Sequence, residues 1–350
     1  MELFTNMNDE IAQKLDIQDY HSFVLPFLST ARKLEDGRIT NEFNVELKPT
    51  DKEGLIVKVS DEKFRILLGN EYEPYLYRGE NKKFDYFQPS LQRFEINSPD
   101  YCLEWIKKEL FIDTFKKTPY YDRLCGLQVW KYYFDFDLEA IAQHYEFKTN
   151  YIDLTRNRDV AEFFAYTYFD NKTQSYKPIT RNYEPYLYRA KMADVIQYDK
   201  SIFQIVGFQG CFRPLKQQAM ALDLKNGNKT IREDLFETIP LENSEQKAKE
   251  IFDKFEGGKL LFPDETILQL KNIIDNDLII PEQYINKYAR TFNISFHKVK
   301  SLLHNNFDIK IRDKYLQLNP DLLSYMYKEF DEKIKTWIDT KTGYRLMMRI

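Results

Sequence analysis

The residues best placed to do chemistry crowd into one stretch, Gln143 to Ala165. Polar side chains stand at both ends of a short apolar run, Tyr151 to Leu154, which reads as a buried strand. Asp153 sits inside that run, and a carboxylate there needs a partner if buried. Thr155 falls where strand gives way to helix. The Asn157 side chain can cap that helix and leave first-turn N–H groups to meet an anion. His144 lies at the end of a preceding helix, flanking its apolar face. Taken singly, each has a plainer and commoner reading: a lone Asp at a strand end as a cap or turn residue, a lone His as a satisfied core group.

The elements that must position them can be read from periodicity. Leu55 to Leu68 alternates apolar positions at strand period, with Ser60-Asp61 as a break. Glu73 to Arg78 is a short strand stopped by Gly79. Ser98-Pro99 opens a helix whose buried face carries Leu103, Ile106, Leu110 and Phe111. Asp137 precedes Leu138, Ile141, Ala142 and Tyr145 at helical spacing. Val160, Ala161, Phe164, Ala165 and Tyr168 form the inner stripe of another helix. The run Tyr72 to Arg78 recurs identically as Tyr183 to Arg189, and both copies read as strands. Ser244 to Phe255 is helical and ends at Gly257-Gly258; Leu260 to Asp264 leads into a further helix through Ile274. From Pro281 onward the chain reads as helices.

Together these motifs resemble the FRG domain family over about residues 70 to 275. That family shows a strand ending in aromatic-Arg-Gly, then Gln-His-Tyr, then Thr, an apolar strand holding Asp, and a Thr followed by an Ala- and Phe-bearing helix. Here they are Tyr77-Arg78-Gly79, Gln143-His144-Tyr145, Thr149, Asp153, Thr155 and Val160 to Ala165. Arg213 to Gln218 resembles a later Arg and Gln motif; Ile239-Pro240 and Leu261 to Asp264 match the closing segment. The family in turn resembles the ADP-ribosyltransferase superfamily. The implied fold is α+β, a split, mixed β-sheet of ADP-ribosyltransferase type with surrounding helices, and the motif-poor segment 1–69 is expected to pack on it. An α-helical unit, 281–350, would follow.

The resemblance implies NAD as substrate, cleaved or used to ADP-ribosylate an unknown macromolecular acceptor, with no metal. Arg78, Gly79, Tyr145, Thr149, Asp153 and Thr155 would hold NAD, and Arg78, His144 and Gln217 would act in catalysis. The physics suits this: a guanidinium can grip a pyrophosphate in two places, and glycine lets backbone approach a ligand. An acceptor near the ribose would stabilise the developing cation. Two departures stand out. Gln217-Gln218, followed by Ala219, occupies the place where transferases acting on side chains carry Glu, and a neutral amide is a poor base. Glu80 or His144 would have to supply any base. Glu146 stands where the family commonly has Gly. An FRG protein of this size also resembles toxins and anti-phage effectors.

Bulk properties set limits. Of 350 residues, 16% are aromatic and 43% hydrophobic, which excludes a disordered chain. Net charge is −4, giving no overall sign of a nucleic-acid binder, yet Pro281 to Ile350 holds 13 Lys and Arg against 8 Asp and Glu. That +5 tail on an acidic body hints at an anionic partner. Residues 285 to 304 fit a helix-turn-helix template, with Asn293 at the turn and Ser295, His297, Lys298, Lys300 and Ser301 exposed. A helix pair packed on the preceding domain is the favoured reading. The alternative function is a non-catalytic module binding a nucleotide or nucleic acid. Cys102, Cys125 and Cys211 make no metal pattern with the four histidines and are expected to be buried thiols. No apolar run spans a bilayer, so a cytoplasmic protein with no membrane contact is expected.

Overall fold

The structure, a computed structural model, describes residues 53–68, 74–129, 132–225, 235–277, 279–312 and 318–338, with short strands at 18–19, 32–33, 39–40, 46–47 and 345–347. Tyr72 and Glu73, the start of the repeated run, lie outside the described residues, as does most of the segment before residue 53. The described chain opens with a hairpin, β1 (Glu53–Ser60) and β2 (Lys63–Leu68), which turns at the predicted break. β3 (Tyr75–Glu80) follows. Next comes α1 (Pro99–Phe115), where the Ser98 hydroxyl accepts from the Tyr101 N–H and Leu103, Ile106, Leu110 and Phe111 are all buried. After α2 (Pro119–Cys125) and β4 (Tyr132–Phe134), the Asp137 carboxylate caps α3 (Leu138–His144) by accepting from the Ala140 N–H.

Then come β5 (Tyr151–Thr155), α4 (Arg158–Tyr166), and a hairpin of β6 (Thr167–Asp170) and β7 (Ser175–Pro178). The α4 stripe was expected to reach Tyr168. It stops at Tyr166 instead, because the Thr167 hydroxyl bonds back to Phe163 O and the backbone goes extended there. Tyr168 therefore sits on β6. β8 (Tyr186–Lys191), α5 (Met192–Tyr198), β9 (Phe203–Ile205), α6 (Phe212–Lys216), β10 (Ala219–Asp223) and β11 (Glu237–Pro240) complete the central unit.

The central sheet runs β9-β10-β5-β3-β8-β11, and every neighbouring pair in it is antiparallel. The fold is α+β as expected, but the expected mixed sheet is not the one that carries the site; parallel pairing occurs in the other six-stranded sheet, as between β2 and β4. Identical sequences on β3 and β8 now have a physical setting. They are adjacent antiparallel strands, with Tyr77 opposite Arg189 and Arg78 opposite Tyr188, so each copy presents the same side chains to the other. Between β3 and β5 the ladder holds at one pair alone, Thr155 and Tyr77. Beyond it the two strands part, and the sheet is split there.

Gly79 lies inside β3 and does not stop it. A Cβ at that position would stand 1.7 Å from Ala161 O and 2.8 Å from Ala165 N, so glycine is what lets α4 seat directly on the strand. The face that the missing side chain leaves open is taken by a helix.

One apolar core gathers Phe64, the inner face of α1, Tyr145, Phe208 and residues of the C-terminal helices as far as Phe330. α7 (Glu245–Lys254) is capped by Ser244 and followed by Gly257 and Gly258, both at positive φ, before α8 (Leu268–Asp277). The C-terminal segment holds α9 (Glu282–Thr291), α10 (Phe296–Asn306) and α11 (Pro320–Ile338). It is not helical throughout: Ile279–Pro281 pairs in parallel with Lys310–Arg312. Asn293 takes the left-handed turn expected of it, φ 53°. Tyr288 and Phe292 meet Trp105 edge-on at 5.4 and 5.8 Å, which fastens the helix pair to α1. Ser295, His297, Lys298 and Ser301 are exposed, whereas Lys300 is half-buried and paired with Glu282 at 2.9 Å. Cys102 and Cys211 are buried; Cys125, expected to be buried too, is exposed at the end of α2.

Candidate functional site

Where β3 and β5 part, a cleft of about 250 Å³ opens between the split, α4 and the β6–β7 hairpin. Arg78 spans the gap: its Nη1 donates to Asp153 O at 2.8 Å, replacing the missing ladder bond. The same guanidinium pairs with Glu80 at 2.5 Å and lies over the Phe87 ring. Arg78 is thus a clamp on the open strands with its charge already matched.

Asp153 and Thr155, both expected to hold NAD, are engaged differently. Thr155 holds the strand-to-helix turn, since its hydroxyl donates to Gln217 O at 2.7 Å and accepts from the Asn157 N–H at 3.0 Å. The Asn157 side chain then accepts from the Asp159 N–H and caps α4. Asp153, by contrast, is half-buried on the cleft wall, and among the described residues nothing hydrogen-bonds to its carboxylate. The nearby His144 ring, at the cleft wall on the last residue of α3, stands beside the Gln217 side chain. Burial holds this imidazole below its ordinary pKa, against the opposing pull of the Asp153 carboxylate. It is therefore neutral at pH 7.

Gln217 and Gln218 come just before β10. Both stand in the turn between α6 and β10, with Gln218 at φ 46°. That turn aims the Gln217 amide inward, where Nε2 donates to Leu261 O at 3.2 Å and the side chain reaches His144.

So Arg78, Gly79, His144, Asp153, Thr155 and Gln217 line one cleft. Tyr145 and Thr149 do not. Tyr145 is wholly buried, its hydroxyl donating to Glu265 at 2.6 Å with the Arg213 guanidinium over its ring. Thr149 is also wholly buried, bonded through its hydroxyl to Gln143 and through its N–H to Ser90. Both fix the loop between α3 and β5. The sequence reading missed the aromatic wall, Phe164, Tyr168, Phe169 and Tyr176, along with Asn81. The alternating rings from Tyr166 to Phe169 carried a strand signal that the preceding helical stripe obscured.

Glu146 keeps the left-handed backbone, φ 71°, that explains a glycine preference at its position. Its carboxylate lies 3.5 Å from Arg213 and 3.8 Å from Lys271 but is 52% exposed, so those pairs contribute little. Glu146→Gly is expected to raise stability by about 0.5–1 kcal/mol, the relief of left-handed strain less the entropy of a freer unfolded chain. Urea melts of the two proteins would measure it, and a clear loss would show that the ion pairs dominate.

Residues 73–174 match the family model of the FRG domain. This chain carries an FRG domain. The matched stretch runs from the start of β3 to the tip of the β6–β7 hairpin and includes every cleft residue named above except Gln217 and Tyr176. Arg213, Ile239-Pro240 and Leu261 to Asp264 lie beyond it. No curated protein and no solved structure shows significant similarity to the chain. Among the described residues of this FRG protein, no cluster of His, Cys, Asp or Glu could hold a metal ion, and no helix is long and apolar enough to cross a membrane.

Proposed function

We propose that the FRG cleft takes the nicotinamide-ribose end of NAD and breaks the bond between them, passing ADP-ribose to water or to a macromolecular acceptor. The observation that carries this is the Asp153 carboxylate, turned to the cleft without a protein donor, beside a neutral imidazole and under aromatic walls. In the reaction the electron pair of the glycosidic bond leaves with nicotinamide, and the sugar carbon becomes cation-like. Asp153 stabilises that charge. The nucleophile adds to the same carbon and gives its proton to His144. Arg78 acts as a positioning residue, holding the split strands so that Asp153 faces the sugar. Phe164 and Tyr176 offer faces on which a nicotinamide ring can lie. An enzyme of this kind would serve as a toxin or anti-phage effector.

The neutral Gln217 favours a second reading, a cleft that binds a nucleotide without cleaving it. Nicotinamide release across pH separates the two. With His144 as base, and its folded pKa below the usual value of about 6.5, the rate should stay level from about pH 8 to 6.5 and fall only as pH drops further. Stability follows the same sign, being full above the unfolded pKa and lost as acid protonates the buried ring. A rate that instead climbs toward low pH would remove His144 as base, and no release at any pH would leave the binding reading.

A further inference from the structure

We infer that the larger groove on the far side of the β6–β7 hairpin is the seat of the ligand's phosphates, so that a nucleotide lies across the hairpin with its base-bearing ends on either side. This rests on the reading of the cleft as a nucleotide site. At about 250 Å³ the cleft falls short of the roughly 300–1,000 Å³ usual for small-molecule sites, so it can enclose one end of a dinucleotide and not the whole. A second cavity of about 950 Å³ adjoins it, and Phe169 and Tyr176 line both.

Charge decides what the groove would hold. Arg78, the cation first expected to grip phosphate, is already bound to Glu80 and Asp153 O. The groove carries five cationic side chains against three carboxylates. Its carboxylates are engaged: Glu104 and Asp275 with Lys107, Glu146 with Arg213 and Lys271. Lys148 and Lys259 have no ion-pair partner among the described residues. Lys148 follows Phe147 on the loop before β5, and Lys259 follows the two left-handed glycines after α7, so the pair flank the groove from separate segments. Phe169, 39% exposed at the junction, offers a ring face to a base leaving the cleft. Two uncommitted ammonium groups and an exposed aromatic ring suit a phosphate chain joined to adenosine.

The test is direct binding of ADP-ribose to the full chain by calorimetry, with nicotinamide release from NAD followed on the same preparations. Lys148→Ala/Lys259→Ala should weaken ADP-ribose binding by about tenfold or more and flatten its salt dependence, the loss expected for two charged contacts. Lys249→Ala/Lys328→Ala, which removes two exposed charges elsewhere, should bind as the parent does. Adenosine, which lacks phosphate, should not distinguish the two double variants. Equal ADP-ribose affinity in all three proteins, or no ADP-ribose binding by the parent, would overturn the groove assignment. Lysine-dependent binding without nicotinamide release would uphold the groove while refuting cleavage, and release with lysine-independent binding would do the reverse.

Discussion

Asp153→Asn is expected to cut nicotinamide release from NAD by about 10²–10³-fold, the usual loss when one electrostatic partner of a charged transition state is removed. Asparagine matches the carboxylate in shape, and the bond that closes the split uses the backbone oxygen of residue 153, which the substitution keeps. The carboxylate itself has no protein hydrogen bond to lose among the described residues. The fold should therefore persist and ADP-ribose should still bind, so the deficit should appear in kcat more than in KM. An Asp153→Asn protein that melts like the parent and turns over NAD at the parent rate would take this residue out of the chemistry. Arg78 offers a less clean test, because removing its side chain also removes the clamp between β3 and β5.

Gly79→Ala should be the most damaging single methyl in the described chain. Its Cβ would sit 1.7 Å from a backbone oxygen of α4, and backbone cannot rotate away as a side chain can. Either α4 lifts from β3 or the strand bends, and the buried faces of Val160, Phe163 and Ala165 lose contact in both cases. A loss of at least about 3–5 kcal/mol is expected, comparable to severe core defects and to much of a domain's total stability. Gly126→Ala is the control, since nothing lies within 4 Å of a Cβ there. Thermal melts would compare the three proteins. A Gly79→Ala protein as stable as the Gly126→Ala protein would mean that the helix does not press on the strand as described.

Much of this arrangement was legible in the sequence because its signals are local. Ser98, Asp137, Asn157 and Ser244 cap the helices they precede, and the apolar run around Asp153 is a strand. Ordered motifs brought Arg78, His144, Asp153 and Gln217 to one cleft across 140 residues of chain. What local signals could not carry was the direction of each side chain. Tyr145 is drawn into the core by Glu265, 120 residues away, and Thr149 meets Ser90, 59 residues away. Thr155 and Asp153 lie on the same strand face, yet Gln217 O, 62 residues away, engages the Thr155 hydroxyl, and among the described residues nothing hydrogen-bonds to the Asp153 carboxylate. Gly79 lines the cleft, and the need for glycine there comes as well from a helix some 80 residues on that occupies its open face. The split itself comes from a ladder that stops after one pair, a register fact that no single strand encodes.

The central claim, that this cleft breaks the nicotinamide–ribose bond, is tested most directly by incubating the full chain with NAD, with and without cell lysate, and separating the products. The account predicts free nicotinamide in equal amount to NAD consumed, with the ADP-ribose free or attached to a lysate component, and both signals lost in Asp153→Asn. Intact NAD after prolonged incubation with folded protein, in lysate as well as buffer, would contradict it.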